Sequence, residues 1–254
     1  MTGRGASDER SGKRSEPTLG TVRVMLQAGG KGSRMGELTA GCPKPLLEVG
    51  GQSMIERLLN QLRRGGFRRV VVVTGWLAES VEARVGAWAT QYPEMDLECF
   101  REPSPLGTLG ALALLSPHPG TTLLVNADIV TTVDFAAFVG RHFERGVDLT
   151  LASHVEEARL ELGELVIEDE DRVVGYREKP LKRYLICSGI VAMEPRVLSG
   201  LVPGEMAGLP ELVQRAVDAG LRVEHFRHGA FWVDVNDPER IESTGRWLRE
   251  HGLG

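Results

Sequence analysis

The sequence contains little of what secreted, membrane-spanning or nucleic-acid-binding proteins usually carry. Its three cysteines, Cys42, Cys99 and Cys187, are isolated and show no metal-ligand spacing, which argues against a disulfide scaffold or a zinc site. No apolar run reaches the roughly 18 residues that a membrane-spanning helix needs. The formal net charge is −5, so no overall basic field would attract nucleic acid. We therefore predict a cytoplasmic protein without membrane or nucleic-acid partners.

The composition is that of a globular chain with an excess of glycine. Apolar residues make up 42% of the 254 residues, and 31 residues are glycine, which is about 12% against a typical ~7%. Residues 1–20 are charged, rich in serine and glycine, and lack an apolar core. We predict a disordered leader over residues 1–20 and a single domain over residues 21–254.

Short apolar runs alternate with helical spacing of apolar residues along most of the chain. Residues 22–26, 70–73 and 122–126 read as buried strands. Residues 53–64 and 209–219 have apolar side chains at helical intervals. This alternation of strands and helices predicts an α/β fold with a doubly wound sheet.

One stretch carries the clearest chemical signal. The strand at residues 22–26 leads into the sequence QAGGKGSRM, and PKPLL follows at residues 43–47. The bare glycines Gly29, Gly30 and Gly32 allow backbone N–H groups to approach a polyphosphate closely. Arg34 and Lys44 add positive charge nearby. The combination predicts a nucleotide phosphate site, although the glycines alone would also fit a tight strand-to-helix turn.

This stretch differs from two well-known phosphate loops. A Walker loop needs serine or threonine after its Gly-Lys pair, whereas Lys31 is followed by Gly32. A dinucleotide fingerprint needs a third glycine at the position of Met35. The loop is therefore neither a Walker loop nor a dinucleotide-binding loop.

A second motif follows at residues 102–111, with the sequence EPSPLGTLGA. It reads as a proline-rich turn that leads into a short helix over residues 111–115. The strand at residues 122–126 then ends in Asn-Ala-Asp, so that Asp128 lies where the carboxyl end of a strand can present a metal ligand. Taken alone, Asp128 would also fit a helix N-cap.

The second half of the chain adds two short motifs. Residues 163–167 and 172–176 flank an acidic turn and read as a β-hairpin. Glu-Lys-Pro follows at residues 178–180, and Trp-Val-Asp ends at Asp234. Taken alone, the lysine of the first motif would also fit a solubilising edge-strand residue.

Together, these motifs resemble those of the sugar-1-phosphate nucleotidyltransferases, the nucleotide-diphospho-sugar pyrophosphorylases. The resemblance extends over residues 22–245 and is greatest for the small mannose- or heptose-1-phosphate guanylyltransferase branch. It implies a Rossmann-like mixed sheet of the GT-A-like type without a C-terminal β-helix. It also implies a nucleotide-binding part at about residues 21–130 and a sugar-phosphate-binding part at about residues 131–254.

The resemblance implies that a sugar-1-phosphate attacks the α-phosphorus of an NTP and that pyrophosphate leaves. Mg²⁺ is the implied cofactor, held by Asp128 and Asp234. The implied catalytic residues are Arg34, Lys44, Asp128 and Lys179. The resemblance also implies a set of residues that bind the nucleotide: Gln27, Ala28, Gly29, Gly30, Gly32, Ser33, Arg34, Glu102, Gly107 and Thr108. The residues that it implies bind the sugar phosphate are Gly163, Glu178, Lys179, Cys187 and Ser188.

Glu102 indicates which base is bound. Relatives that use uridine or thymidine nucleotides tend to carry glutamine at this position, whereas an ionised carboxylate only accepts hydrogen bonds. Guanine offers two adjacent donors that match a carboxylate, so GTP is the predicted nucleotide. Gln27 stands where the family usually has leucine and adds an amide beside the base. The alternative is a uridylyl-, thymidylyl- or cytidylyltransferase for another sugar- or alcohol-phosphate, since some uridylyltransferase relatives also carry an acidic residue here.

Two other classes of protein fit the pattern less well. A glycosyltransferase that uses finished nucleotide sugars typically has Asp-x-Asp after the central strand, whereas this chain has Asn126-Ala127-Asp128. A non-catalytic binding subunit usually lacks the arginine, the lysines or the aspartates, all of which are present. We therefore expect an enzyme, and the sequence leaves open whether it forms a homo-oligomer.

Overall fold

The computed structural model describes residues 18–254, apart from the side chains of Ser33, Arg34 and Glu37. The predicted leader lies outside this part up to residue 17. Among the residues described, no helix is both long and apolar enough to cross a bilayer. The strands are β1 (Arg23–Gln27), β2 (Glu48–Val49), β3 (Gln52–Ser53), β4 (Arg69–Thr74), β5 (Asp96–Arg101), β6 (Thr122–Asn126), β7 (Ile129–Thr131), β8 (Leu149–Arg159), β9 (Glu164–Glu168), β10 (Arg172–Arg177), β11 (Leu181–Met193), β12 (Val223–Arg227) and β13 (Trp232–Asp234). The α-helices are α1 (Met54–Arg64), α2 (Ala78–Gln91), α3 (Phe135–Arg145), α4 (Pro195–Leu198), α5 (Leu209–Asp218) and α6 (Pro238–Glu250).

Seven strands form one mixed sheet in the order β12-β8-β11-β6-β1-β4-β5. β1 pairs in parallel with β4 and β6, and β4 pairs in parallel with β5. β11 runs antiparallel to both of its neighbours, β6 and β8, while β12 is parallel to β8. The sheet therefore has one reversed strand, and the predicted mixed α/β fold is confirmed. Residues 18–254 form no β-helix.

The central strands are buried on both faces, because successive side chains of a strand point to opposite sides. Val24 and Leu26 of β1 pack into a core that also contains residues of α1, α2 and α3. Met25 packs into a second core, on the other face, which contains residues of α5. This two-sided burial explains why β1 and β4 are continuous apolar runs in the sequence.

Two predicted boundaries differ from the structure. Residues 111–115 do not form an α-helix; a 3₁₀ turn at Gly110–Ala113 is present instead. The chain is held there against residues 205–207, since a Cβ on Gly110 would lie 2.6 Å from the carbonyl oxygen of Glu205. The predicted leader extends too far, because Leu19–Thr21 form a 3₁₀ turn and Leu19 packs against the core.

β8 and β11 extend beyond the sheet as an exposed two-stranded ribbon. Their pairing continues from Ile186 opposite His154 out to Leu181 opposite Arg159. The hairpin of β9 and β10 lies between them in the chain, which confirms the predicted hairpin. We call residues 156–186 the arm, and most of its residues are exposed.

Candidate active site

A cavity of about 810 Å³ lies at the carboxyl ends of the parallel strands. Gln27 and Asn126 are the last residues of β1 and β6, and Gly75 and Glu102 directly follow β4 and β5; all four line the cavity. Ligands of open α/β sheets bind at this edge. The volume is in the range of small-molecule and cofactor sites.

Lys44 connects the two aspartates that the sequence marked as metal ligands. It lies in a 3₁₀ turn and is only 8% exposed. Its Nζ is 2.8 Å from Oδ2 of Asp128 and 3.4 Å from Oδ1 of Asp234. The amide of Asn236 donates to the other carboxylate oxygen of Asp234 at 3.2 Å. The aspartates come together because β13 pairs with β7, which places Asp234 opposite Ile129.

The two carboxylates also fit a divalent cation. Both line the cavity, and the side chains of Asp128 and Asp234 are 38% and 33% exposed. Mg²⁺ commonly takes one or two carboxylates and completes its coordination with water and substrate phosphates. The described residues contain no group of three or more His, Cys, Asp or Glu that could hold a metal ion. A divalent cation held by these two carboxylates would complete its coordination with water or with a bound phosphate.

The glycine loop, residues 28–32, is held against the ends of β4 and β5. A Cβ on Gly29 would lie 2.7 Å from Oε2 of Glu102, and a Cβ on Gly75 would lie 2.7 Å from the carbonyl oxygen of Gly29. The backbone N–H of Trp76 donates to the same carbonyl at 3.2 Å. A side chain at Gly75 would therefore push the loop out of the cavity wall, and one at Gly29 would displace the carboxylate of Glu102.

Glu102 retains hydrogen-bonding capacity that the described residues leave unused. Its Oε1 is buried and has no hydrogen-bond partner among them. Burial raises the pKa of this carboxyl, and the nearby Gln27 amide and Leu106 backbone N–H partly lower it. Nε2 of Gln27 donates to the carbonyl oxygen of Gly107 at 3.3 Å, while its Oε1 is also buried without a described partner. These two side chains give the cavity a polar region that can recognise the edge of a base.

The cavity unites the described residues that the sequence marked for the nucleotide. Lys44, Asp128 and Asp234 line it as well. The side chains of Ser33 and Arg34 lie outside the described part of the chain, so their roles stay predictions. The predicted nucleotide-binding residues that line the cavity are Gln27, Ala28, Gly29, Gly30, Gly32, Glu102, Gly107 and Thr108.

The residues predicted for the sugar phosphate do not line this cavity. Three of them, Gly163, Glu178 and Lys179, lie on the arm, and Cys187 follows it as an exposed residue of β11. Nζ of Lys179 is 3.4 Å from Oε2 of Glu161. These side chains therefore lie outside the wall of the nucleotide cavity.

Ser188 is fully buried and belongs to a hydrogen-bonded network beneath a second cavity. Its Oγ is 2.9 Å from Nδ1 of His154 and 2.8 Å from Nε2 of His228. Its carbonyl oxygen accepts a hydrogen bond from Nε1 of Trp232 at 2.8 Å. His154, His228 and Trp232 line the second cavity, of about 620 Å³, together with Glu156. Ser188 therefore supports the wall of this cavity from within.

Sequence reasoning missed several side chains of the nucleotide cavity. Lys31, Trp76, Asn126 and Asn236 all line it, and Nζ of Lys31 is 4.7 Å from the centroid of the Trp76 ring. Trp76 lies two residues after the end of β4, so the strand-end rule that indicated Asp128 applies to it equally. Lys31 lies inside the glycine loop, and that position alone makes it a candidate.

Comparisons with known proteins identify the family. Over 227 residues, the chain is 27% identical to the mannose-1-phosphate guanylyltransferase of Mycobacterium tuberculosis, a match that covers 86% of this chain and 62% of that protein. It is 28% identical to the N-acetylmuramate alpha-1-phosphate uridylyltransferase of Neisseria meningitidis serogroup B, over 89% of this chain and 100% of that protein. The chain thus spans less than two thirds of the first relative but the whole of the second.

A solved structure shares the fold. A Bacillus anthracis protein in complex with sucrose superimposes with a TM-score of 0.71 over 90% of this chain and 96% of that chain, at 18% identity. The family model described as nucleotidyl transferase matches residues 23–245. Because this match covers most of the chain, the chain belongs to the nucleotidyl transferase family.

Proposed function

We propose that the protein joins a sugar-1-phosphate to a nucleoside triphosphate and releases pyrophosphate. The observation that carries this proposal is the cavity in which the glycine loop, Lys44 and two aspartates meet. The names of the Mycobacterium and Neisseria relatives describe transfers of this class. The product would be a nucleotide-diphospho-sugar.

In the proposed reaction, a phosphate oxygen of the sugar-1-phosphate forms a bond to the α-phosphorus of the NTP. The bond from the α-phosphorus to the bridging oxygen breaks, and pyrophosphate leaves with its electron pair. Such transfers need in-line positioning and charge neutralisation rather than a protein nucleophile. The glycine loop offers backbone N–H groups to the phosphates, and Lys44 brings a buried positive charge to the reacting region. We assign the leaving pyrophosphate to Arg34 and the phosphate of the sugar to Lys179.

We assign Asp128 and Asp234 to a Mg²⁺ ion, which would stabilise negative charge on the reacting phosphate when bound. Lys44 contacts one oxygen of each carboxylate, and Asn236 contacts the second oxygen of Asp234. These contacts orient both carboxylates before any ligand enters. Little rearrangement is then needed when the phosphates arrive.

GTP is the favoured nucleotide in this proposal, because Glu102 is a hydrogen-bond acceptor in the cavity with no described donor on its Oε1. The N1–H and the N2 amino group of guanine supply two donors side by side. UTP is the second candidate, since the chain matches the Neisseria uridylyltransferase over its entire length. Mannose- or heptose-1-phosphate is the favoured sugar substrate with GTP.

A matrix of substrates tests the proposal. Purified protein with Mg²⁺ is incubated with GTP, UTP, dTTP or CTP and a panel of sugar-1-phosphates, and pyrophosphate release is measured. We expect the fastest release with GTP and mannose- or heptose-1-phosphate. Faster release with another nucleotide would correct the base but keep the class of reaction. No release with any pair would refute the proposed function.

Glu102→Gln is expected to reduce the preference for GTP over UTP by roughly 5- to 150-fold, the range expected when a buried donor loses its acceptor. The expected change is in the ratio of kcat/KM for the two nucleotides. Because burial raises the pKa of Glu102, this carboxyl takes up a proton at a higher pH than an ordinary glutamate. The wild-type preference should therefore decline as the pH falls from neutral, and Glu102→Gln should abolish that decline.

Glu98→Gln is the matched control for this prediction. Glu98 is an exposed residue of β5, the same strand that Glu102 follows, but it does not line the nucleotide cavity. Its substitution should leave the nucleotide preference and its pH dependence unchanged. A Glu102→Gln variant that keeps both would show that this carboxylate does not read the base.

Lys179→Ala is expected to raise the KM for the sugar-1-phosphate by about tenfold, the usual scale of a lost charge-assisted contact, and to leave the KM for NTP nearly unchanged. The pair with Glu161 is exposed, with side chains 50% and 73% exposed, so it is weak and easily exchanged for a phosphate. Steady-state kinetics with each substrate varied in turn provides the measurement. Lys182→Ala, on the same arm, is the control, and an equal rise in both KM values for Lys179→Ala would contradict the assignment.

A further inference from the structure

Lys31 contacts an aromatic ring on the wall of the nucleotide cavity. Its side chain is exposed, and its Nζ is 4.7 Å from the centroid of the Trp76 ring, within the range of a cation–π interaction. Trp76 lines the same cavity and is 37% exposed. The ammonium group therefore lies beside the space that the proposed nucleotide would fill.

The backbone holds Trp76 next to the glycine loop. The N–H of Trp76 donates to the carbonyl oxygen of Gly29 at 3.2 Å. Gly75, the preceding residue, permits this approach, because a Cβ there would lie 2.7 Å from the same oxygen. The backbone of Trp76 is therefore held against the glycine loop, which keeps its ring within reach of Lys31.

Among the described residues, no carboxylate forms an ion pair with Lys31. Lys44 is already in contact with the carboxylates of Asp128 and Asp234, and Glu102 adds a third carboxylate. Among the described side chains that line the cavity, Lys31 is the one cation that has no described carboxylate partner. A triphosphate carries several negative charges, so it would attract this ammonium group more strongly than the ring does.

We propose that Lys31 is an additional triphosphate-binding residue, and that Trp76 holds its side chain in the cavity wall until the nucleotide binds. This inference rests on the proposed nucleotidyl transfer and adds a residue to the same site. The exposed cation–π contact is weak enough to be exchanged for a phosphate oxygen. Nucleotide binding then moves the ammonium away from the indole ring, which alters the environment of Trp76.

The first experiment measures binding in the absence of a sugar phosphate. The full-length protein is titrated calorimetrically with GTP and with GMP, each with Mg²⁺, or with UTP and UMP if UTP proves to be the preferred nucleotide. Lys31→Met should weaken binding of the triphosphate by about tenfold and leave binding of the monophosphate nearly unchanged. Lys31→Arg, which keeps the charge, should bind the triphosphate nearly as tightly as wild type.

Lys182→Met provides the matched control, because Lys182 lies on the arm and pairs with Glu164. It should bind both nucleotides as wild type does. Equal triphosphate affinity of Lys31→Met and wild type would overturn the inference, whatever the turnover. A wild-type protein that binds the triphosphate but never releases pyrophosphate would refute the proposed function and leave the role of Lys31 intact.

The second experiment follows tryptophan fluorescence during the same titration. We expect the triphosphate to change the emission of wild type, and Trp76→Phe to remove that change while triphosphate binding persists in calorimetry. In Lys31→Met, the free protein should already show the emission of the nucleotide-bound state. An unaltered response in Trp76→Phe would overturn the role of the ring.

Discussion

Asp128→Asn is expected to lower kcat by about 10³-fold, since metal stabilisation of a transferring phosphate amounts to several kcal/mol. The oxygen of asparagine can still accept a hydrogen bond from Lys44, which lies 2.8 Å from the wild-type carboxylate. The fold and the lysine contact should therefore survive while the negative charge is lost. Pyrophosphate release at saturating substrates measures the activity, and thermal unfolding checks that stability stays near wild type.

Asp96→Asn is the control for this prediction. Asp96 is the first residue of β5 and is exposed, so it lies at the amino end of a parallel strand, away from the cavity. Its substitution should leave kcat unchanged.

Wild-type activity should also disappear in EDTA and return with excess Mg²⁺. A wild-type kcat in Asp128→Asn, or full wild-type activity in EDTA, would contradict the metal assignment.

Lys44→Met is expected to lower kcat by about 10²- to 10³-fold, the usual scale for loss of a preorganised charge at a reacting group. It should also lower the free energy of unfolding by about 1–3 kcal/mol, because two nearby carboxylates lose their shared cation. This loss of stability is smaller than that for a fully buried ion pair, because the side chains of Asp128 and Asp234 are 38% and 33% exposed. Kinetics and chemical denaturation measure the two effects separately.

Mg²⁺ provides a second readout for Lys44. If Asp128 and Asp234 both serve as metal ligands, the ion can replace the missing ammonium in Lys44→Met. Added Mg²⁺ should therefore raise the melting temperature of this variant more than that of wild type. Lys182→Met, whose lysine pairs with Glu164 on the arm, should resemble wild type in every measurement. A Lys44→Met variant with wild-type kcat would exclude the proposed role.

Local patterns in the sequence predicted much of the sheet. The run at residues 70–73 lies within β4 (Arg69–Thr74), and the hairpin at residues 163–176 corresponds to β9 and β10. The helix α3 was not predicted, although its ends carry clear signals. The side chain of Asp134 accepts a hydrogen bond from the N–H of Ala137, and Gly146 closes the helix at φ 56°. The buried residues Phe135, Phe138 and Val139 also recur at helical spacing, so the apolar stripe of this helix was readable from the sequence.

The motifs in the sequence indicated the chemistry of the candidate site. Glycine-rich turns after a strand favour phosphate binding, and polar residues at strand ends lie where ligands of α/β sheets bind. Only the tertiary structure decided which of these residues meet. The contact of Lys44 with Asp234 joins residues 190 positions apart, and it depends on the pairing of β7 and β13. Each of these strands has only three residues, too few to give a readable pattern. The tertiary structure also decided that Lys179 lies on an exposed arm next to Glu161, because the length of a ribbon beyond a sheet depends on pairing between distant segments.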